Sequence, residues 1–263
     1  MKKCRKLLVL LLSIALLVGT AAVGAGALTN EKHWVGSWSA GMTDISVSLL
    51  EGKKNTEGLS ISPFVKNMTA RIRLTPTLGG NKVRFCLSNE NGSSPLVIDQ
   101  ASIARAKGDS GAEIVSGSSI PVTFNGSRKV AIPAGGTIYC DPVDMEVRAW
   151  RICALPICAG FGMVQTMALY GATTYLAFGN HTEDQKLTGI KLSFGTLVSV
   201  VPLLSGLDVY ADADAYSIVV IGDSTTSNDI PKLLAKRIMD ETGENKVGVL
   251  QKSIVAIACS AMA

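Results

Sequence analysis

The spacing of apolar residues changes once along this chain, near Tyr210, and that change limits the folds open to it. Upstream, apolar and polar residues alternate, as in Ala70-Arg71-Ile72-Arg73-Leu74 and Val83-Arg84-Phe85-Cys86-Leu87. Alternation is the signature of a strand with one buried face. Downstream, Ser217-Ile218-Val219-Val220-Ile221 reads as a buried strand over 216–221. Residues 229–242 then place apolar side chains at 230, 233, 234 and 238, the spacing of a helix. Val247-Gly248-Val249-Leu250 begins another strand.

Turn signals divide the upstream part finely. Leu78-Gly79-Gly80-Asn81 lies as a turn between the first two alternating runs. Asn91-Gly92 and Asn125-Gly126 mark tight turns, because asparagine and glycine accept positive φ cheaply. Val122-Thr123-Phe124, Lys129–Ile132, Thr137–Cys140 and Met145–Val147 continue the series of short strands. Only Arg151–Phe161 resists assignment, fitting a buried strand pair or a loop. The expectation is a β-sandwich over 28–208, followed over 209–263 by strand, helix and strand, the first unit of a flavodoxin-like parallel sheet. Two parallel strands alone leave both faces open. Residues 257–263 also carry neither charge nor cap. The chain therefore reads as a truncated or frame-shifted copy of a longer protein.

The first 27 residues read as a signal peptide. Lys2, Lys3, Arg5 and Lys6 precede an apolar run from Leu7 to Val18, and Ala25-Gly26-Ala27 offers a small-residue cleavage site. The run is shorter than the roughly 20 residues that cross a bilayer, so a retained anchor is the lesser alternative to a secreted or cell-surface protein. Cleavage removes those four cations and leaves 21 basic residues against 21 acidic ones. A neutral mature chain with no basic cluster argues against nucleic acid as a partner. Five cysteines remain (Cys86, Cys140, Cys153, Cys158 and Cys259), without Cys-x-x-Cys spacing. That pattern fits neither a disulfide framework nor a zinc site and reads as buried thiols, a Cys153–Cys158 bridge being the minor alternative. No metal or other cofactor is expected.

The chemistry concentrates at Gly222-Asp223-Ser224, where a β-branched run ends in glycine, acid and serine before a helix. A serine at the carboxyl end of a strand is exposed yet held in place, and a helix N-terminus behind it favours a developing oxyanion. This block resembles the nucleophile motif of the GDSL-type, or SGNH, hydrolase family. Trp34–Ala40, Val83–Gly92 with Pro95–Ile98, and Val130–Gly136 with Asp141–Asp144 are similar to blocks of exported members that carry an N-terminal β-domain. The resemblance implies an ester hydrolase (esterase, lipase or acylhydrolase) that works through a serine acyl-enzyme on an acyl ester or acylated glycan. It makes Ser224 the nucleophile and first oxyanion N–H. Gln251–Ile257 resembles the second block, with Ala256 standing where the family has glycine as an oxyanion donor. Thr225 departs from the family's Leu or Ile. The family's asparagine block and Asp-x-x-His block are absent, so the resemblance also implies an inactive chain.

The two histidines, His33 and His181, both precede Ser224. Either serves it only through an unusual arrangement, since a triad is defined by geometry. Asp223 orients its loop or caps the following turn. The Ser-Thr-Thr turn also suits a phosphate, but no nucleotide-binding glycine string accompanies it. Trp34, Trp38 and Trp150 read either as core aromatics or as a sugar-stacking platform. The competing function is an exported carbohydrate-binding β-sandwich module with a vestigial hydrolase segment.

Overall fold

The computed structural model describes residues 31–44, 64–169, 171–194, 198–223, 226 and 230–253. In chain order the strands are β1 (His33–Ser39), β2 (Thr43–Asp44), β3 (Phe64–Leu74), β4 (Val83–Ser88), β5 (Leu96–Arg105), β6 (Ile120–Pro121), β7 (Val130–Ile132) and β8 (Thr137–Tyr139). They continue with β9 (Cys153–Met163), β10 (Thr166–Leu169), β11 (Ala172–Phe178), β12 (Ile190–Phe194), β13 (Val198–Pro202), β14 (Leu204–Ala211) and β15 (Tyr216–Val220). Helix α1 (Ile230–Thr242) and strand β16 (Val247–Gln251) complete the order.

Two antiparallel sheets enclose one core. The smaller runs β1-β14-β4-β8 and the larger β2-β10-β13-β12-β11-β3-β9-β5-β6, with β7 also paired to β5. Val35, Phe85, Leu87, Leu207 and Val209 of the small sheet meet Ile72, Leu74, Ile98 and Leu155 of the large one. Register explains the pairing of faces. Ala70, Ile72 and Leu74 lie opposite Ile157, Leu155 and Cys153, so alternation on β3 matches alternation on β9. Leu78–Asn81 does not close a hairpin, because β3 and β4 belong to different sheets and this segment carries the chain between them. Asn125-Gly126 does close a two-residue turn. Both residues have positive φ, 51° and 80°, and Phe124 and Ser127 exchange both backbone hydrogen bonds around them.

The far face of β3 is not solvated, although alternation marks Arg71 and Arg73 as outward. Arg71 is 0% exposed and Arg73 5%. The Arg71 guanidinium donates to the carbonyls of Ala112 (2.7 Å), His181 (2.8 Å) and Asp184 (2.6 Å). Arg73 donates to the carbonyls of Gly108 (2.6 Å), Ser110 (2.8 Å) and Gly111. Two loops thus fold over the strand, each tied down by an arginine fork that satisfies buried carbonyls. Burial lowers both guanidinium pKa values. The undecided segment Arg151–Phe161 is mostly one continuous strand, β9, despite Pro156 in its middle. Cys86, Cys140, Cys153 and Cys158 are all buried and free.

The expected fold class is overturned at the C-terminal end. The described residues are 51% strand and 7% helix, and α1 is the one helix among them. Among the described residues no flavodoxin-like unit begins after the sandwich. The parallel pair β15–β16 is instead a ribbon packed against β1. A Cβ on Gly36 would meet the Leu250 side chain at 2.6 Å, and one on Gly248 would meet the Gly36 carbonyl oxygen at 2.1 Å. Only glycine permits so close a layer. Ser217 Oγ donates to Gly36 O (2.8 Å), Ser39 Oγ to Gln251 O (2.8 Å), and Val249 N–H to Thr77 Oγ1 (2.9 Å). Strand β15 is not the buried strand its composition suggests: Tyr216 is 56% exposed and Val219 48%, and Ile221 just beyond it is 78% exposed. Helix α1 buries Pro231 and Ala235, while the expected inward residues Ile230 and Leu233 are 43% and 63% exposed. Apolar composition misled here because the pair packs on β1 and on α1 mainly through β16, leaving part of β15 exposed, unlike a parallel sheet buried on both faces. No described helix is long and apolar enough to cross a membrane. The signal segment lies outside the described residues.

Candidate functional site

Strand β15 ends at Val220, and Ile221, Gly222 and Asp223 carry the chain into the serine turn. Ser224 and Thr225 lie outside the described residues, as does Ala256. The turn is nonetheless framed on both sides. Thr226 N–H and Thr226 Oγ1 both donate to the Asp223 carbonyl, at 3.2 and 2.9 Å. Thr226 Oγ1 also lies 2.7 Å from Ser253 Oγ. Lys252 N–H donates to Val220 O (2.9 Å), so the carboxyl ends of β15 and β16 are held side by side. A Cβ at Gly222 would fall 2.2 Å from Thr226 Oγ1, which explains glycine at the first motif position. From the other side, a Cβ on Gly41 would fall 2.2 Å from Ser253 O. The chain following β1 therefore closes over the end of the ribbon.

The two histidines are elsewhere. His33 opens β1 opposite Ala211, at the far end of that strand from Gly41. His181 Nδ1 lies 2.7 Å from Asp184 Oδ2, and its Nε2 lies 2.7 Å from Phe178 O. These partners occupy both ring nitrogens and raise the imidazole pKa, the carboxylate contributing most. Among the described residues no imidazole hydrogen-bonds into the Gly222–Thr226 turn. No described group of three or more His, Cys, Asp or Glu is placed to hold a metal.

At the opposite end of the ribbon lies a cleft of about 520 Å³, bounded by Lys32, residues 78–81 and 146–150, Tyr210, Ala211, Asp212, Ala215, Met239, Asn245 and Lys246. Its floor is prebuilt. Gly80 and Val147 exchange backbone hydrogen bonds at 2.9 Å, and Asn81 N–H donates to Tyr210 O (3.2 Å). A Cβ on Gly80 would strike Tyr210 O at 2.8 Å, so glycine lets these segments meet. Trp150 lines the cleft with φ of +65°, a left-handed conformation that costs a non-glycine residue about 1–3 kcal/mol. It is fastened there by its N–H to Pro76 O (2.9 Å) and by its indole N–H to Met239 Sδ (3.3 Å). The other two tryptophans separate from it. Trp38 is 6% exposed and donates to Gly171 O (3.0 Å). Trp34 and Tyr139 sandwich the Arg84 guanidinium, each ring centre 4.5 Å away, while Arg84 pairs with Asp208 at 3.0 Å.

No protein-family model matches this chain, and no curated protein matches it. Sequence reasoning singled out Gly222, Asp223 and Trp150, took in Thr226 and Ser253 only as members of longer stretches, and missed Gly41, which closes over the end of the ribbon. Its only signal was small size, which many solvent loops share. The cleft was missed entirely, since its walls come from five separate stretches of chain.

Proposed function

We propose that this chain is a serine ester hydrolase of the GDSL type, acting on an acyl ester or acylated glycan through an acyl-enzyme at Ser224. The observation that carries the reading is the Gly222-Asp223-Ser224 sequence leaving the end of a parallel strand through a turn pinned at Gly222 and Thr226. Attack on a carbonyl and an oxyanion N–H both need a serine in a fixed turn, and the residues on either side of Ser224 are tied to one another through the Asp223 carbonyl and Thr226. The β16 end beside it brings Ser253 to the same place. The motif has no nucleotide-binding glycine string and no basic cluster beside it, which supports an acyl ester or acylated glycan over a nucleotide or nucleic acid.

The same reading makes this chain slow. A serine hydroxyl needs a proton acceptor, and loss of the base from a triad can cost about 10⁶ in rate. His33 and His181 are the chain's two imidazoles; His181 is bound to Asp184 and Phe178, and His33 lies at the other end of β1 from Gly41. Purified protein treated with a fluorophosphonate, with and without added imidazole, tests the nucleophile. The expected result is slow labelling mapped by mass spectrometry to Ser224, faster with imidazole and abolished by Ser224→Ala. Labelling at another residue, or none in a folded chain with imidazole present, would overturn the assignment.

A further inference from the structure

We propose that the cleft around Trp150 binds a neutral saccharide, at a site separate from the serine turn and independent of the hydrolase reading. Its volume of about 520 Å³ is within the usual range for small-ligand sites, and it lies across the boundary between the sandwich and the ribbon. The charge pattern selects against ions. Lys32 is paired with Asp212 at 3.0 Å, Arg148 with Glu146 at 3.1 Å, and Lys246 with Asp214 at 2.7 Å. An anionic ligand would have to displace these carboxylates, and a cationic one the opposing amines. A ligand without net charge gains hydrogen bonds from the same groups and from Asn81 while leaving the pairs intact.

The aromatic side of the cleft narrows the class further. Trp150 is held in an unfavourable backbone conformation, its amide on Pro76 and its indole nitrogen on Met239 of α1. An edge fixed on the helix sets the orientation of the ring before any ligand arrives, which lowers the entropy cost of binding. The face of an indole carries negative quadrupole density and attracts polarised C–H groups. A sugar ring has one C–H face and a rim of hydroxyls, matching a tryptophan set among paired charges and an asparagine. A purely apolar ligand would leave those polar groups desolvated.

Isothermal titration of the full chain with cellohexaose, xylohexaose and mannohexaose tests this, with hexagalacturonate as the charged counterpart. At least one neutral hexasaccharide should bind saturably, with affinity little changed between low and high salt. Trp150→Ala should weaken it by about tenfold or more and Trp150→Phe by less. Arg148→Ala, on an exposed side chain that does not threaten folding, should weaken it by roughly threefold, since a surface hydrogen bond contributes little. Ser224→Ala should leave binding unchanged, which separates this site from the serine turn. The proposal fails if no neutral hexasaccharide binds. It fails equally if hexagalacturonate binds more tightly in a salt-sensitive way, or if both Trp150→Ala and Arg148→Ala bind like the parent chain.

Discussion

Thr226 and Ser253 join the ends of two parallel strands through a 2.7 Å contact between their hydroxyls, and Gly222 exists to make room for it. Gly222→Ala would drive a methyl group into Thr226 and break that contact. The expected loss is about 1–3 kcal/mol, the usual cost of overpacking a fixed turn, read by urea denaturation. Adding Thr226→Ala should recover most of it, because the oxygen in the way is gone. Additive losses in the double variant would show that the collision is not the cause.

Arg71 should be the most sensitive charged residue in the chain. Its fork closes two loops onto β3 with no carboxylate hydrogen-bonded to it. Arg71→Lys keeps the charge but cannot reach three carbonyls at once. Destabilisation of roughly 3–5 kcal/mol is expected, because buried carbonyls and a buried ammonium are left poorly paired. Limited proteolysis should then cut first at 108–112 or 181–185. A variant as stable as the parent would contradict the clamp.

His181 gives stability a pH dependence of known sign. Its pKa is raised in the folded state, first by the Asp184 carboxylate and then by the Phe178 carbonyl. The native state therefore binds the proton more tightly than the unfolded chain. Its contribution is complete below about pH 6.5, the ordinary value, and disappears as pH rises through the raised one. NMR titration of the ring should show the upward shift, and Asp184→Asn should return it toward 6.5. A shift that survives Asp184→Asn would place the cause elsewhere.

The buried thiols should be inert. Burial pushes Cys140 and Cys153 up to about 12, and raises Cys86 and Cys158 as well. Iodoacetamide mapping of the native chain should leave all four peptides unmodified, with full reaction after denaturation. Cys153 and Cys158 cannot bridge without disrupting β9. Five residues of extended strand span about 16 Å, well beyond the reach of a disulfide. A native 153–158 crosslink would refute the register.

Where the sequence carried a face-specific pattern, it could be read. Alternation on β3 and β4, and the Asn125-Gly126 turn, follow from rules that act on adjacent residues. Arg71 and Arg73 escaped because the loops that bury them arrive from 108–112 and 181–185, far along the chain. Cys153–Met163 escaped because it is nearly all apolar or small, so no polar residue marks a face, and Pro156 argues locally against a central strand. The ribbon misled for a similar reason: Ile218, Val219, Val220 and Ile221 have the composition of a buried parallel strand, yet what covers them is decided by β1. Of the candidate site, the motif itself was plain, while its framing depended on Gly41 and Ser253 meeting across more than two hundred positions.

The ribbon is held to the sandwich partly by hydroxyls of Ser39, Thr77 and Ser217 rather than by a continuous backbone ladder. Its attachment is therefore a small number of replaceable bonds around the tight Gly36–Leu250 contact, weaker than the ladders within either sheet. Such a part opens on its own, at a free energy below that of global unfolding. Amides of β15 and β16 should then exchange before those of β3 and β9. Because the Trp150 cleft needs both sides present, anything lodged in it resists that opening by mass action. The ligand and the latch would share one equilibrium, and occupancy at one end of the ribbon would govern how firmly the serine turn at the other end is held.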